Sequence, residues 1–308
     1  MSALLYYLKK LIPEFALNAL RPLYHYLLSF LAALRYGFPS RKITVVGVTG
    51  TKGKSSVVEI VSALFAAHGM KTASSSTIRF TIGNGARPNM HKMTMPGRFF
   101  IQRFLREAVE AGCDVAVVEM TSQGVLQYRH KWIDLDALIF TNLSPEHIES
   151  HGSYEKYAAA KLELARALAL SRKRPRRIIA NIDDEYGPAF LAADVEEKIP
   201  YSLKDAEFHT LTSDGTSIVI DGVALRTPLM GLFNVYNTLG AIACARAFGI
   251  SLKTIERALS GLPPIAGRVE KFKSPDGARK QITAVVDYAH TPDSLTQLYR
   301  AFAKEKKV

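Results

Sequence analysis

Cysteine and tryptophan are scarce in this 308-residue chain, with two of the first and one of the second. Cys113 and Cys244 lie in apolar contexts without CxxC or Cys/His spacing, which excludes a disulfide framework and a zinc site and fits two buried thiols in a reducing cytoplasm. An uncharged apolar run of about 18 residues, the minimum for a membrane span, is also missing. The most apolar stretch, residues 4–34, is interrupted by Lys9, Lys10, Glu14, Arg21 and His25, and its positive charges follow the first apolar stretch, so it does not read as a signal peptide either. Acid is in short supply: 28 Asp plus Glu stand against 40 Lys plus Arg, and the net charge of +12 predicts an anionic partner. Nucleotide, nucleic acid and an acidic membrane surface all satisfy that balance.

The rest of the composition is that of a globular protein, and at roughly 150 residues per domain the length suggests about two domains. Past Pro22, which suits a helix start, Leu23, Tyr26, Leu27, Phe30, Leu31 and Leu34 fall on one face at helical spacing. Such an amphipathic helix docks on a neighbouring domain or meets a bilayer, which leaves peripheral membrane contact through residues 1–36 as an open expectation. Gly37, Pro39 and Ser40 then mark a linker. From residue 43 onward β-branched runs alternate with helical patterns, predicting an α/β fold with a mostly parallel sheet. Strands are expected at 43–48, 115–119, 137–141 and 177–181, with helices at 55–68, 98–111 and 154–170. A small β-meander over 208–229 carries the turn pairs Asp214-Gly215 and Asp221-Gly222, and helices over 234–248 and 252–259 follow. After a linker at Gly261, a strand at 282–287 and a helix at 294–304 are expected. The basic run at 172–177, broken by Pro175, reads as a solvated helix end and loop, and no basic and aromatic interleaving of the kind that grips nucleic acid is present.

The sharpest motif is Gly47-Val48-Thr49-Gly50-Thr51-Lys52-Gly53-Lys54-Ser55, leaving an apolar strand and entering an amphipathic helix. Glycines let backbone N–H groups turn toward phosphate oxygens, and the helix N-terminus adds positive potential. Lys54 can reach the β and γ phosphates of a bound nucleotide, and the Ser55 hydroxyl can ligate Mg²⁺. Val48 stands where the strict P-loop pattern has its first glycine. Glu119 ends the next strand, where open α/β sheets place their sites, and His147 follows the strand after it. Taken singly, a strand-end Glu and a loop His are ordinary.

Together these pieces resemble the Mur ligase family, the ATP-dependent amino-acid ligases of peptidoglycan synthesis, and most of all its tripeptide-synthetase branch. Four blocks carry the resemblance: Gly50-Thr51-Lys52-Gly53-Lys54-Ser55; Val118-Glu119-Met120-Thr121-Ser122-Gln123-Gly124; Thr141-Asn142-Leu143-Ser144-Pro145-Glu146-His147 continuing through His151-Gly152 to Tyr157-Ala158-Ala159-Ala160-Lys161; and Asp287-Tyr288-Ala289-His290-Thr291-Pro292-Asp293-Ser294-Leu295. The resemblance implies that Gly50, Thr51, Lys52, Gly53, Lys54, Ser55 and Ser56 hold ATP, and that Ser55, Glu119 and His147 ligate magnesium. It implies that Lys161, by itself a helix-surface lysine, is carbamylated and supports the metal. It further implies nucleotide contacts from Asn181, Asp184, Asn234, Asn237, Arg268 and Asp287, and contacts from Thr94, Ser122 and Arg129 to an anionic muramoyl-peptide that is joined to an amino acid. Lys54, Lys161, His147 and Glu119 are then the catalytic group.

Lys52, Gln123, Glu146 and Met95 depart from the residues usual in the family. The family's UDP-binding N-terminal domain has no counterpart in residues 1–40, residues 41–262 correspond to the central ATP-binding domain, and residues 263–308 open a C-terminal domain that is expected to be incomplete. Nucleotide binding without unaided ligation is therefore expected, with a related folylpolyglutamate-type enzyme, a lipid-linked acceptor or a non-catalytic nucleotide-binding module as the alternatives.

Overall fold

The computed structural model describes residues 14–91, 93–146, 148–212, 214–275 and 282–302. The chain enters through helix α1 (Glu14–Arg35) and reaches strand β1 (Thr44–Thr49), helix α2 (Lys54–Ala67), and strands β2 (Thr72–Ser75), β3 (Arg79–Ile82) and β4 (Gly85–Pro88). Helix α3 (Arg98–Glu110), β5 (Val115–Glu119), the short α4 (Ser122–Leu126), β6 (Ala137–Phe140), α5 (Ile148–His151) and α6 (Tyr154–Ala169) follow. Next come β7 (Arg177–Asn181), α7 (Gly187–Leu191) and β8 (Glu197–Tyr201), then the strands β9 (Phe208–Thr212), β10 (Gly215–Ile220) and β11 (Val223–Thr227). Helices α8 (Leu232–Ala247) and α9 (Leu252–Ser260), the pair β12 (Glu270–Lys273) and β13 (Thr283–Val286), and α10 (Pro292–Ala301) end the described chain.

Eight strands form one sheet in the order β4-β3-β2-β5-β1-β6-β7-β8, parallel from β2 to β8 and antiparallel at the β3–β4 edge. Because helices cover both faces, the central strands are apolar on both sides instead of alternating with polar residues. Val46 and Val48 of β1 pack with Val57, Ile60, Val61 and Leu64 of α2 and with α8 and α9. Val45 points the other way, into Ile101, Phe104 and Leu105 of α3 and Leu164 and Leu168 of α6. Helix starts follow local chemistry: Thr121, Ser153, Ser251 and Thr291 each accept a hydrogen bond from a backbone N–H in the first turn of their helix. Cys113 and Cys244 are both free and buried.

Two expectations about the N-terminal segment change. Helix α1 starts ahead of Pro22 and runs through it. Pro22 lacks the N–H that would close one turn, but it is exposed, so water can serve the freed carbonyl and a 22-residue helix absorbs one missing bond. The side of α1 that packs on the body is the small and polar one, with Ser29, Ala32 and Ala33 buried while Leu23, Leu27, Leu31 and Leu34 stay exposed. Phe30 and Tyr26 anchor its flank, with ring centroids 5.1 and 5.6 Å from that of Trp132. The basic run at 172–177 is tied into the sheet edge by acids: Arg176 and Arg174 pair with Glu196, Arg177 with Glu197 and Lys173 with Asp136. Among the described residues no helix is long and apolar enough to cross a membrane.

Candidate functional site

The loop between β1 and α2 is shaped by contacts that admit only glycine at two points. Gly50 has φ +146°, and a Cβ there would sit 1.9 Å from Thr141 Oγ1; Gly53 has φ +81°, and a Cβ would sit 2.1 Å from Asn237 Oδ1. The loop is then pinned to the segment after β6. Thr51 N donates to Asn142 O at 2.8 Å, Lys52 N to Asn142 Oδ1 at 2.9 Å, and Ser144 N to Thr51 Oγ1 at 3.0 Å. Asn142 and Ser144 belong to the third sequence block, so two distant motifs build one anchored turn.

Register places Glu119 beside this loop, since β5 runs parallel to β1 with Val48 opposite Glu119. The Glu119 carboxylate is buried and accepts hydrogen bonds from Ser55 Oγ at 3.0 Å, Thr77 N at 2.8 Å and Thr77 Oγ1 at 3.1 Å. Thr94 shares a hydrogen bond with Thr77 at 2.7 Å behind it. A buried carboxylate served by neutral donors, with a serine hydroxyl alongside, offers the hard oxygen ligands that suit Mg²⁺, so these residues fit the ion the sequence implies. Among the described residues no cluster of three His, Cys, Asp or Glu is present. His147 lies outside the described residues.

Three basic side chains face the same space. Lys54 donates to Thr51 O at 2.8 Å, and burial lowers its pKa against the opposing pull of Glu119. Lys161 is 2 % exposed; its amine donates to Gly50 O at 2.6 Å and lies 4.8 Å from the centre of the Tyr157 ring. Burial, with the Lys54 charge in support, pushes Lys161 well below the ordinary lysine range, so its amine is held toward the neutral form. Burial pushes Tyr157 up to about 12, and its hydroxyl shares a hydrogen bond with Thr51 at 3.1 Å. From the far side, Arg268 donates to Ser55 Oγ at 3.1 Å and lies 4.8 Å from the centre of the Tyr288 ring, while Asp287 accepts from Val269 N at 2.8 Å.

These groups line one cavity of about 830 Å³. Of the residues expected from the sequence, Thr51, Lys52, Gly53, Lys54, Ser55, Ser56, Glu119, Lys161, Asn181, Asp184, Asn237, Arg268 and Asp287 line it, as do Thr94, Ser122 and Arg129. Gly50 meets it through the Lys161 hydrogen bond. Asn234 stands behind the wall and accepts from Asn237 Nδ2 at 2.9 Å. Asn181 donates to Thr141 O at 2.9 Å, and Asp184, raised by burial, accepts from Leu143 N at 2.8 Å. At the other end, Arg129 donates to the Met95 carbonyl and, at 2.7 Å, to Gln127 Oε1. Thr77, Tyr157 and Tyr288 line the same cavity without having been singled out in the sequence. Tyr157 and Tyr288 lay inside quoted blocks, whereas Thr77 sits in a plain Ser-Thr run that carries no signal of its own. Glu146 pairs with Lys52 at 3.8 Å, so two departures from the usual family residues meet each other.

Glu119→Gln keeps the side-chain shape and removes the charge. The expected result is an ATP affinity that loses at least about tenfold of its gain from Mg²⁺, roughly 1.4 kcal/mol, measured by titrating ATP with and without EDTA. An unchanged Mg²⁺ dependence would detach Glu119 from the metal.

A glycine-shaped loop between a parallel strand and a helix, with a lysine and a serine at the helix start, defines a P-loop class of α/β protein. Residues 48–245 match the Mur ligase middle domain, and the chain belongs to the Mur ligase family. It is 33 % identical over 291 residues to the UDP-N-acetylmuramoyl-L-alanyl-D-glutamate--2,6-diaminopimelate ligase of Geobacillus thermodenitrificans, a match covering 90 % of this chain and 58 % of that protein. A solved structure of a ligase of the same name matches with a TM-score of 0.69 and 25 % identity over 86 % of this chain and 54 % of that one. Mycobacterium tuberculosis folylpolyglutamate synthase complexed with ADP matches with a TM-score of 0.70 and 18 % identity, over 89 % of this chain and 68 % of that one, and shows the shared fold alone. The chain spans little more than half the length of the two diaminopimelate ligases.

Proposed function

We propose that this chain carries the ATP site of an acid–amino-acid ligase of peptidoglycan precursor synthesis, which activates a carboxylate of a muramoyl peptide for amide formation. The observation that carries the reading is the convergence, in one cavity, of the anchored P-loop, the buried Glu119 carboxylate and the buried, neutral-leaning Lys161, with the Arg129 guanidinium at the opposite end. In this reading residues 41–262 form the ATP-binding body, and Arg268 and Asp287 reach its site from the segment that follows.

The triphosphate lies along the loop N–H groups and the N-terminus of α2, where backbone dipoles favour anions. Lys54 and Arg268 neutralise charge that grows on the phosphoryl oxygens. Asn181 and Asp184 meet the adenine, and Asn237, positioned by Asn234, backs the loop. Thr94, Ser122 and Arg129 hold the acceptor so that its carboxylate oxygen attacks the γ-phosphorus; the bond to the β-phosphate oxygen breaks, leaving ADP and an acyl phosphate. The incoming amine then attacks the acyl carbon and expels phosphate. Ser55, Glu119 and His147 would hold Mg²⁺, which supplies charge neutralisation at the phosphates. The Lys161 amine adds CO₂ and loses a proton to become a carbamate, a carboxylate equivalent that would support the metal from the same cavity. The reading places the chain in the cytoplasm, with residues 1–36 at the inner membrane face.

The test supplies ATP, Mg²⁺ and UDP-N-acetylmuramoyl-L-alanyl-D-glutamate and follows ADP. Release that depends on the acceptor is expected; hydrolysis indifferent to the acceptor would overturn the reading.

A further inference from the structure

Helix α1 is turned with its apolar stripe away from the protein. Leu20, Leu23, Tyr24, Leu27, Leu31 and Leu34, spaced three and four apart, are each between 48 and 58 % exposed, while Ser29, Ala32 and Ala33 on the opposite side are buried. A soluble protein ordinarily docks its leucines and exposes its serines, so this reversed orientation leaves an uncovered stripe that needs an occupant.

Charge decides which occupant. Between Glu14 and Glu59 the sequence contains no acid, while Arg21, Arg35, Arg41 and Lys42 lie in that interval. Arg21 and Arg35 are exposed beside the stripe, and Arg41, whose guanidinium stacks 4.1 Å from the centre of the Phe38 ring, pairs with Asp134. A second copy of the Leu20–Arg35 segment would set Arg21 and Arg35 against their counterparts with no carboxylate within that segment to pair them, which disfavours a helix–helix seam centred on the stripe. An apolar stripe edged by arginines and tyrosines suits the headgroup boundary of an anionic bilayer.

The packed side of α1 links the helix to the substrate end of the cavity. His25 of α1 contacts the Arg98 guanidinium, which donates to Gln127 O at 2.9 Å, and Gln127 carries Arg129. We infer that the Leu20–Leu34 face of α1 docks on a bilayer of anionic lipid and holds the acceptor end of the cavity beside the membrane surface. The inference rests on the ligase reading for its choice of the inner leaflet and for the meaning of that cavity end.

The experiment is vesicle co-flotation of the full chain with phosphatidylcholine vesicles, alone or containing phosphatidylglycerol. Flotation with the anionic vesicles is expected, weakened at least tenfold by Leu27→Glu combined with Leu31→Glu and reduced by Arg21→Gln combined with Arg35→Gln. Fluorescent-nucleotide binding, which these surface changes should leave intact, shows that the variants fold. Equal flotation of wild type and the Leu27/Leu31 variant, equal flotation with neutral vesicles, or a wild-type dimer that the same variant dissociates without any flotation would each overturn the inference. Lys54→Ala should float like wild type, so loss of nucleotide binding and loss of docking are read separately.

Discussion

Lys54→Ala should lower ATP affinity at least a hundredfold and remove turnover, while the protein stays folded. In the free protein the ammonium group is partnered by the Thr51 carbonyl, an oxygen of the loop itself, so little of the fold depends on it. In the nucleotide complex it is the cation that reaches the terminal phosphates from the loop side; Arg268 serves them from the far side, where it meets Ser55, and Lys52 pairs with Glu146, so neither takes over the position of Lys54. A hundredfold loss corresponds to about 2.7 kcal/mol, within the usual worth of a charge-assisted contact in a partly dry site. Calorimetric titration of ATP reads the affinity, and a thermal melt close to that of wild type shows that the fold survives. ATP binding of ordinary strength in the variant would remove the phosphate role from Lys54.

The second large effect concerns Lys161. A lysine this deeply buried, with a backbone carbonyl as acceptor and a second lysine close by, is held toward its neutral amine, and the neutral amine is the form that combines with CO₂. In ¹³C-bicarbonate at neutral pH the wild-type protein should show a carbamate carbon that Lys161→Gln lacks. Acidification protonates the amine and should abolish the signal, so the resonance grows as pH rises through the lowered pKa. Lys161→Gln should lose about 10²- to 10³-fold in turnover, the scale of removing one electrostatic partner of a phosphoryl-transfer site. Lys161→Glu, which restores a carboxylate at shorter reach, should recover part of it. A wild-type protein with no carbamate signal and unchanged turnover in Lys161→Gln would reduce the residue to a tether for Gly50.

Much of this site is legible in the sequence, because its parts follow strong local rules. The glycines at 50 and 53 mark backbone that side chains cannot enter, and strands β5 and β7 fall at 115–119 and 177–181 as their β-branched runs predict. Strands β2 and β4 carry no strand signal of their own, since Thr72–Ser75 is small and polar and Gly85–Pro88 is bounded by glycine and proline, and both owe their state to pairing with β5 and β3. Thr77 was missed for a related reason. Its importance lies in the Glu119 oxygen that the fold brings to it across 42 positions. The orientation of α1 was likewise hidden: periodicity locates an apolar face but does not say what it meets, and here the body takes the alanines. Periodicity also put the start of that helix at Pro22, whereas a long exposed helix carries one proline in its interior.

The chemistry itself is tested most directly by the fate of one oxygen. With the acceptor's glutamate carboxylates labelled with ¹⁸O, formation of an acyl phosphate makes a carboxylate oxygen the bridge to phosphorus, and amine attack on the acyl carbon releases it in phosphate. The account predicts one ¹⁸O in each phosphate formed together with ADP. ADP formed with phosphate free of label would contradict it.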